Sequence, residues 1–188
     1  GDSLSREELF SMLALLIVAG HETTVGLIGQ GALALLQDGA LAARLRENPA
    51  DIPLAVEEFL RTDGPAERVL TRWVAEDLEL GGKQLKRKEI IVAVASAANR
   101  DPAVFENPDE IDLDRPHNKH LGFGKGVHFC LGAPLARLEG EIAFKTLLER
   151  LPNLRLNTAV EEIMFRMNPS FRSLAALPVA WDVVKQEG

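Results

Sequence analysis

The chain has 188 residues, of which 46% are hydrophobic and 26% are charged, and its formal net charge is −7. This length and composition predict a single domain with a core of its own, and the negative charge disfavours binding to nucleic acids or to anionic membranes. One cysteine cannot form an internal disulfide, which excludes a disulfide-stabilised secreted fold and fits a cytoplasmic location.

The first predicted element is a long apolar helix. Ser5 followed by Glu8 is a capping-box pattern, from which a helix extends to about Leu36. Its residues are apolar nearly all round, so we expect it to be buried on most sides. Its most apolar stretch, residues 9–20, is shorter than the ~20 residues that a membrane span needs, and His21 interrupts its continuation. We therefore predict no membrane span.

Shorter elements follow, each indicated by a local signal. Pro53 and Gly64 bracket a helix, Gly81 and Gly82 indicate a hairpin turn, and residues 90–95 resemble a strand. The predicted elements are helices over 40–47 and 53–63, a β region over 68–98, irregular chain over 101–118, a loop and helix over 122–150 and short strands over 151–188. The predicted fold class is mainly α with small β-sheets (α+β).

The helix that opens near Pro134 carries apolar and charged residues in a regular pattern. Its apolar residues recur at helical spacing on one predicted face: Leu131, Leu135, Leu138 and Ile142. Its charged residues are expected to face outward: Arg137, Glu139, Glu141 and Lys145.

Cys130 stands in a glycine-rich loop just ahead of this helix. Gly122, Gly124 and Gly126 allow the backbone to lie close against a flat ligand, and Gly132 lets the chain turn into the helix. The amides and dipole of a helix N-terminus favour a thiolate, so the setting points to a metal ligand. A cysteine that fills core space and a protease nucleophile paired with a histidine are the alternatives.

The loop resembles the haem-loop signature of the cytochrome P450 family. The pattern FxxGxxxCxG is matched at Phe123, Gly126, Cys130 and Gly132. Two further motifs appear in the family's order: "AGHETT" over residues 19–24 resembles the central distal helix, and the segment from Glu58 to Arg61 resembles the ExxR helix. The resemblance runs through nearly the whole chain and is to the soluble bacterial branch.

This resemblance implies a fold, a reaction and a cofactor. It implies the C-terminal portion of the cytochrome P450 fold, from the distal helix onward, with haem b bound through a thiolate. It also implies a monooxygenase that inserts one atom of O₂ into a small apolar substrate. Electrons would come from a ferredoxin or a flavodoxin-type donor and ultimately from NAD(P)H.

The resemblance assigns residues to the haem site. Cys130 is implied to be the metal ligand, and a thiolate ligand pushes electron density towards cleavage of an O–O bond. His128 and Arg72 match positions that contact the haem propionates. The other residues implied to bind the cofactor are Phe123, Gly124, Ala19, Gly20, Leu131, Gly132 and Ala136. Val69 and Leu70, which follow the ExxR helix, are expected to line a substrate pocket.

The distal helix is implied to manage protons. Glu22 and Thr23 match the acid and alcohol that deliver protons during oxygen activation, while Ala19 and Gly20 leave room in a local opening of the helix. A carboxylate within an apolar helix must reach water or a partner, which suits a proton relay. The alternative is that the Thr23 hydroxyl bonds to a helix carbonyl and Glu22 faces solvent.

A further set of charged residues is implied to be structural. Glu58 and Arg61 lie on one helix face and can pair, and Arg115 matches the arginine that joins them in the family. We expect this triad to be scaffold rather than catalyst. The alternative is an ordinary surface salt bridge.

Family members carry a long N-terminal half that this sequence does not contain. We therefore expect a fragment, a product of proteolysis, or a naturally short protein that covers its apolar distal helix by self-association or with a complementing N-terminal half. Besides the monooxygenase, this leaves a non-catalytic haem-binding or self-associating module, and a haem-free helical interaction domain, as alternatives.

Overall fold

The computed structural model describes residues 3–68, 71–168 and 170–183. Its helices and strands, in chain order, are α1 (Arg6–Gln37), α2 (Gly39–Glu47), α3 (Ile52–Thr62), β1 (Arg72–Trp73), β2 (Leu78–Leu80), β3 (Lys83–Leu85), β4 (Ile90–Ile91), α4 (Ala95–Ala98), α5 (Ala133–Arg150), β5 (Arg155–Leu156) and β6 (Val179–Ala180). Short 3-10 turns lie at Pro49–Asp51, Gly126–His128 and Val160–Glu162. The predicted class, mainly α with small sheets, is confirmed.

Helix α1 begins at the predicted capping box. The Glu8 amide donates to the Ser5 hydroxyl at 3.2 Å, and the Ser5 amide donates to the Glu8 carboxylate at 2.8 Å. The helix ends at Gln37, and the amide of the next residue, Asp38, donates to the Ala34 carbonyl at 3.0 Å. The Asp38 side chain accepts hydrogen bonds from the Ala40 and Leu41 amides and so caps the start of α2.

The two halves of α1 lie in different surroundings, and the prediction of burial on most sides is wrong for the first half. Leu27 and Leu35 in the second half are buried against α2, α3 and α5, whereas Leu15 and Ile17 in the first half are exposed. The first half is exposed because these helices pack only beside the second half. By length and composition alone α1 could also cross a membrane, with 11% of its most apolar window buried, which is weak evidence because soluble core helices pass the same test.

The core forms where α1, α3 and α5 meet. The Phe59 ring of α3 and the Phe144 ring of α5 pack edge to face, with centroids 5.1 Å apart. Gly31 of α1 lies against them, and a Cβ there would be 2.4 Å from the Phe144 ring. Glycine is therefore needed for this close helix approach.

Helix α5 packs through a different face from the one predicted. The buried residues are Ala133, Gly140, Phe144 and Leu148. The predicted apolar face is exposed: Leu131, Leu135, Leu138 and Ile142. Gly140 explains the choice, because a Cβ there would lie 3.3 Å from Leu27 and Val56, so the small residue brings α5 close to α1 and α3.

The β region contains the predicted hairpin but a shorter strand than expected. Gly81 and Gly82 have φ angles of +56° and +73° and connect β2 to β3. The strand predicted over residues 90–95 ends at Ile91, because Val94 makes only an isolated bridge with Arg68 and helix α4 then begins. Among the described residues the strands form three two-stranded antiparallel sheets, β1–β4, β2–β3 and β5–β6.

Candidate haem site

The loop that carries Cys130 is closed by its own backbone. The Cys130 amide donates to the Phe123 carbonyl at 2.9 Å, and the Phe129 amide donates to the Gly126 carbonyl at 3.0 Å. The Ala133 amide, at the start of α5, donates to the Cys130 carbonyl at 3.3 Å. The cysteine therefore stands, exposed, between a tight turn and a helix N-terminus.

Backbone geometry accounts for three of the loop glycines. Gly124 and Gly126 have φ angles of +71° and +81°, a region that favours glycine. At Gly122 a Cβ would lie 3.0 Å from both His120 Nδ1 and the Leu60 carbonyl oxygen. Gly132 has an ordinary φ of −83°, so the turn into α5 does not need glycine's conformational freedom.

The surroundings of Cys130 suit a flat apolar group that carries a metal. Val127 and Leu131 are 98% and 90% exposed, and Phe129 and Leu135 are also exposed. A thiol is a soft metal ligand, and apolar side chains lie on both sides of it in sequence. The described residues hold no group of three or more His, Cys, Asp or Glu side chains that could bind a bare metal ion. The exposed thiol and the exposed apolar side chains beside it fit haem.

The other predicted haem contacts lie on several elements. Ala19 and Gly20 lie on α1, and His128 ends the 3-10 turn beside Cys130. Arg72 lies on β1, where its Nη1 donates to the Thr71 carbonyl at 3.3 Å. Ala136 is partly buried against the core. The predicted pocket residues 69 and 70 lie outside the described residues.

The distal segment of α1 is a continuous helix, so the expected local opening is wrong for this structure. The Thr23 hydroxyl donates to the Ala19 carbonyl at 2.5 Å, within the helix. Glu22 is partly exposed, and its carboxylate lies 3.9 Å from Arg166 Nη1. The alternative geometry, a back-bonded threonine beside a partly solvated acid, is the one observed.

The predicted contacts of Glu58, Arg61 and Arg115 are confirmed. Arg61 Nε and Nη2 donate to the two Glu58 oxygens at 2.7 and 2.8 Å, and Arg115 Nε donates to Glu58 Oε1 at 3.1 Å. Glu58 and Arg61 are buried, so the alternative of a surface salt bridge is wrong. The sequence did not indicate two further donors to Glu58, the Asp112 amide at 2.8 Å and Asn118 Nδ2 at 3.0 Å.

The same network holds the irregular chain before the loop. Arg61 donates to three carbonyl groups in it: those of Asn99, Pro108 and Glu110. Burial alone would raise the pKa of Glu58, but hydrogen bonds from Arg61 and the Asp112 amide lower it below its usual range. The carboxylate therefore stays ionised and keeps the segment fixed.

Sequence reasoning missed a second ion cluster, which we call the Glu57 cluster: Glu57, His120 and Arg137. Arg137 Nε and Nη2 donate to the two Glu57 oxygens at 2.6 and 3.0 Å, and His120 Nε2 lies 3.0 Å from Glu57 Oε2. Burial would raise the pKa of Glu57, but the hydrogen bonds from His120 and Arg137 lower it to about 2. The prediction that Arg137 faces outward is therefore wrong, because its guanidinium binds Glu57 of α3.

The predicted outward orientation is also wrong for Glu139. Its carboxylate accepts a hydrogen bond from the Thr24 hydroxyl of α1 at 2.9 Å. Helix α5 thus presents polar side chains to both α1 and α3. The close packing around Gly140 brings these partners within reach.

Comparisons with known proteins agree with this arrangement. The polyketide biosynthesis cytochrome P450 PksS of Bacillus subtilis is 49% identical over 96% of this chain, and the cytochrome P450 monooxygenase PikC of Streptomyces venezuelae is 43% identical over 100% of it. The chain spans 44% and 45% of those relatives, less than half of their length.

Solved structures give the same result for the fold. The PksS structure superposes with a TM-score of 0.93 at 48% identity, covering 97% of this chain and 47% of that one. The P450BioI structure, in complex with an acyl carrier protein ligated with hexadec-9Z-enoic acid, superposes with a TM-score of 0.91 at 46% identity. That match covers 97% of this chain and 47% of the P450BioI chain. A family model described as Cytochrome P450 matches residues 52–172. The chain belongs to the cytochrome P450 family.

Proposed function

We propose that this chain is the haem-binding part of a haem-thiolate monooxygenase that inserts one atom of O₂ into a small apolar organic molecule. The observation that carries the proposal is Cys130, an exposed thiol in a closed glycine turn ahead of α5, in a chain of this family. The relatives matched are about twice as long, so the activity proposed is that of a protein that contains this chain.

The residues on the haem side have distinct proposed tasks. Cys130 is the ligand, and the amides at the start of α5 favour its thiolate. Phe123 packs behind the loop, and Gly124 and Leu131 lie in the stretch that would face the cofactor. His128 and Arg72 are proposed to contact the propionates. Bound haem b would supply the oxygen activation and the transfer of one oxygen atom.

Glu22 and Thr23 are proposed to move protons at the opposite side of the cofactor. The Glu22 carboxylate is partly exposed and can take up a proton from water. The Thr23 hydroxyl donates to the Ala19 carbonyl, so it must release this bond before it can donate elsewhere. The proposed relay therefore requires the Thr23 O–H to turn away from the Ala19 carbonyl.

The electron donor and the small apolar substrate are proposed from the resemblance to the cytochrome P450 family. PksS and PikC are named for polyketide biosynthesis and for monooxygenation, respectively. A ferredoxin or flavodoxin-type donor, reduced from NAD(P)H, would supply the two electrons that the insertion of one oxygen atom requires. We propose a cytoplasmic location for this system.

Carbon monoxide binding tests the ligand assignment. The reduced, haem-loaded protein treated with CO is expected to show the red-shifted Soret band of thiolate ligation, and Cys130→Ala is expected to abolish it. The matched control is Lys125→Gln, which changes an exposed side chain of the same loop without removing the thiol and is expected to keep the band. Haem that binds without this band would contradict thiolate ligation.

A non-catalytic haem-binding or self-associating module is the second candidate. It is favoured by the exposed apolar faces on the first half of α1 and on α5, because large exposed apolar patches mark interaction surfaces. Light scattering tests self-association: particles larger than the 20.5 kDa chain are expected. A well-behaved monomer would contradict it.

A further inference from the structure

We propose that the Glu57 cluster positions Phe123 and, through it, the backbone that carries Cys130. Its members are Glu57 on α3, His120 in the preceding loop and Arg137 on α5. They are positioning residues, not catalytic ones, because each acts through a neighbour. The inference deepens the proposed function and rests on it for the role of Cys130.

Glu57 ties α3 to α5. Its carboxylate accepts both a 2.6 Å and a 3.0 Å hydrogen bond from Arg137, a two-point contact that fixes the plane of the guanidinium. A lysine has the same charge but not this fork, so it could not hold the same geometry. The orientation of Arg137 is thus set by α3.

His120 ties the loop to the same carboxylate. The Gly122 amide donates to His120 Nδ1 at 3.0 Å, so Nδ1 is an acceptor and carries no proton. The ring proton is therefore on Nε2 and is donated to Glu57. The side chain is only 3% exposed, and both of its nitrogens are engaged. The ring thus links the backbone of the loop directly to α3.

Both partners of Glu57 contact Phe123. The Arg137 guanidinium lies 4.6 Å from the centroid of the Phe123 ring, within the range of a cation–π contact. The His120 ring lies 6.0 Å from the same ring. Phe123 also accepts the hydrogen bond from the Cys130 amide through its carbonyl. The contacts therefore run without a gap from Glu57 to the residue that carries the sulfur.

Two substitutions separate position from charge. Glu57→Gln removes the carboxylate, while Arg137→Lys keeps the charge and loses the fork. The matched control is Glu141→Gln, because Glu141 lies on α5 and acts on the Arg137 guanidinium through its charge. Arg137 is 34% exposed, so Arg137→Lys leaves no sealed cavity and is expected to fold.

Hydrogen–deuterium exchange of the amides at positions 122 and 130 gives a readout that does not depend on haem. Glu57→Gln and Arg137→Lys are expected to exchange these amides about tenfold faster, the effect of losing about 1.4 kcal/mol of local stabilisation. Glu141→Gln is expected to match the unmodified protein. In haem-loaded, CO-treated protein the first two variants are expected to give less of the red-shifted band per haem, with Glu141→Gln unchanged.

The outcomes distinguish this inference from the proposed function. Exchange at the rate of the unmodified protein in all three variants would overturn the positioning role, even if the red-shifted band is present. Faster exchange in Glu57→Gln and Arg137→Lys, in a protein that never shows the band, would uphold the positioning of the loop and contradict thiolate ligation. A change of the same size in Glu141→Gln would show that charge, not position, is responsible.

Discussion

Glu57 and Glu58 are adjacent on α3, yet they hold different parts of the chain. Glu58 binds the irregular chain through Arg115 and the Asp112 amide, whereas Glu57 binds His120 and Arg137 beside the cysteine loop. Successive residues of a helix point about 100° apart, so neighbouring carboxylates reach different segments. One turn of α3 therefore contacts both the irregular chain and the residues beside the cysteine loop.

The two carboxylates differ in burial, and this difference predicts different roles. Glu58 and Arg61 are buried, so a lost partner would leave a charge in the core. Glu57 is partly exposed, and water can replace part of a lost contact. We therefore expect Glu58 to govern folding and Glu57 to govern local order in the loop.

Removal of Arg61 is expected to have the largest effect. Arg61→Ala strips two hydrogen bonds from buried Glu58 and leaves three carbonyl groups without this donor. Loss of one partner of a buried ion pair costs about 3–5 kcal/mol, a large share of the ~5–15 kcal/mol that stabilises native proteins. Urea unfolding followed by circular dichroism measures the change.

The matched control for Arg61 is an exposed ion pair. Lys145 and Glu149 lie 4.0 Å apart on the surface of α5, and Glu149→Gln is expected to cost less than about 0.5 kcal/mol. A similar loss in both variants would contradict the assignment of Glu58 and Arg61 as scaffold.

Lowering the pH is expected to have the next largest effect on the free energy of unfolding, and Glu57→Gln isolates the contribution of Glu57 to this effect. The folded-state pKa of Glu57, about 2, lies below the ordinary value of 4.5, so its stabilisation is complete above pH 4.5 and is lost as pH falls through about 2. In Glu57→Gln the curve of unfolding free energy against pH should be flatter, by about 3 kcal/mol at most. Urea midpoints at pH 7, 4 and 3 test this. Parallel curves for the two proteins would show that Glu57 is not held as the structure indicates.

The local elements of this fold were predictable because short-range rules determine them. The Ser5–Glu8 capping box, the hairpin at Gly81 and Gly82 and the pairing of Glu58 with Arg61 each depend on residues close in sequence. Short-range patterns of this kind predict local structure without knowledge of the distant contacts of the chain.

The Glu57 cluster and the apolar faces were not predictable in the same way. Glu57 is 63 residues from His120 and 80 from Arg137, so only the packing of α3 against α5 reveals the contact. The exposure of the Leu135 face of α5 follows from Gly140, which directs the other face into the core. Periodicity identifies an apolar stripe but not which neighbour will cover it.

Loss of Asn118 is expected to have a smaller effect than loss of Arg61. Asn118 Nδ2 supplies one of several hydrogen bonds to Glu58, at 3.0 Å. Asn118→Ala is therefore expected to cost about 1–2 kcal/mol in urea unfolding. The matched control is Gln84→Ala, which removes an exposed amide that donates to Glu79 at 2.7 Å and should cost less than about 0.5 kcal/mol. Equal costs would mean that Asn118 adds nothing to the Glu58 network.

Thr23 is expected to have the smallest effect on stability, because its hydroxyl bonds within its own helix. Its partner, the Ala19 carbonyl, is one turn away, and alanine favours a helix more than threonine does. Thr23→Ala should therefore change the free energy of unfolding by less than about 0.5 kcal/mol and keep the red-shifted CO band. The proposed proton relay nevertheless predicts that oxygen consumption will no longer match product formation.

The neighbouring hydroxyl separates a structural role from proton transfer. Thr24 donates to Glu139 of α5 at 2.9 Å, so Thr24→Ala removes a contact between helices. It is expected to lower stability by about 1 kcal/mol and to leave oxygen consumption matched to product. The ratio of product to oxygen consumed, measured in the haem-loaded protein with its electron donor, compares the two variants. If Thr23→Ala gives the same ratio of product to oxygen consumed as Thr24→Ala, Thr23 does not deliver the proton. The bond from its hydroxyl to the Ala19 carbonyl would then have a structural role only.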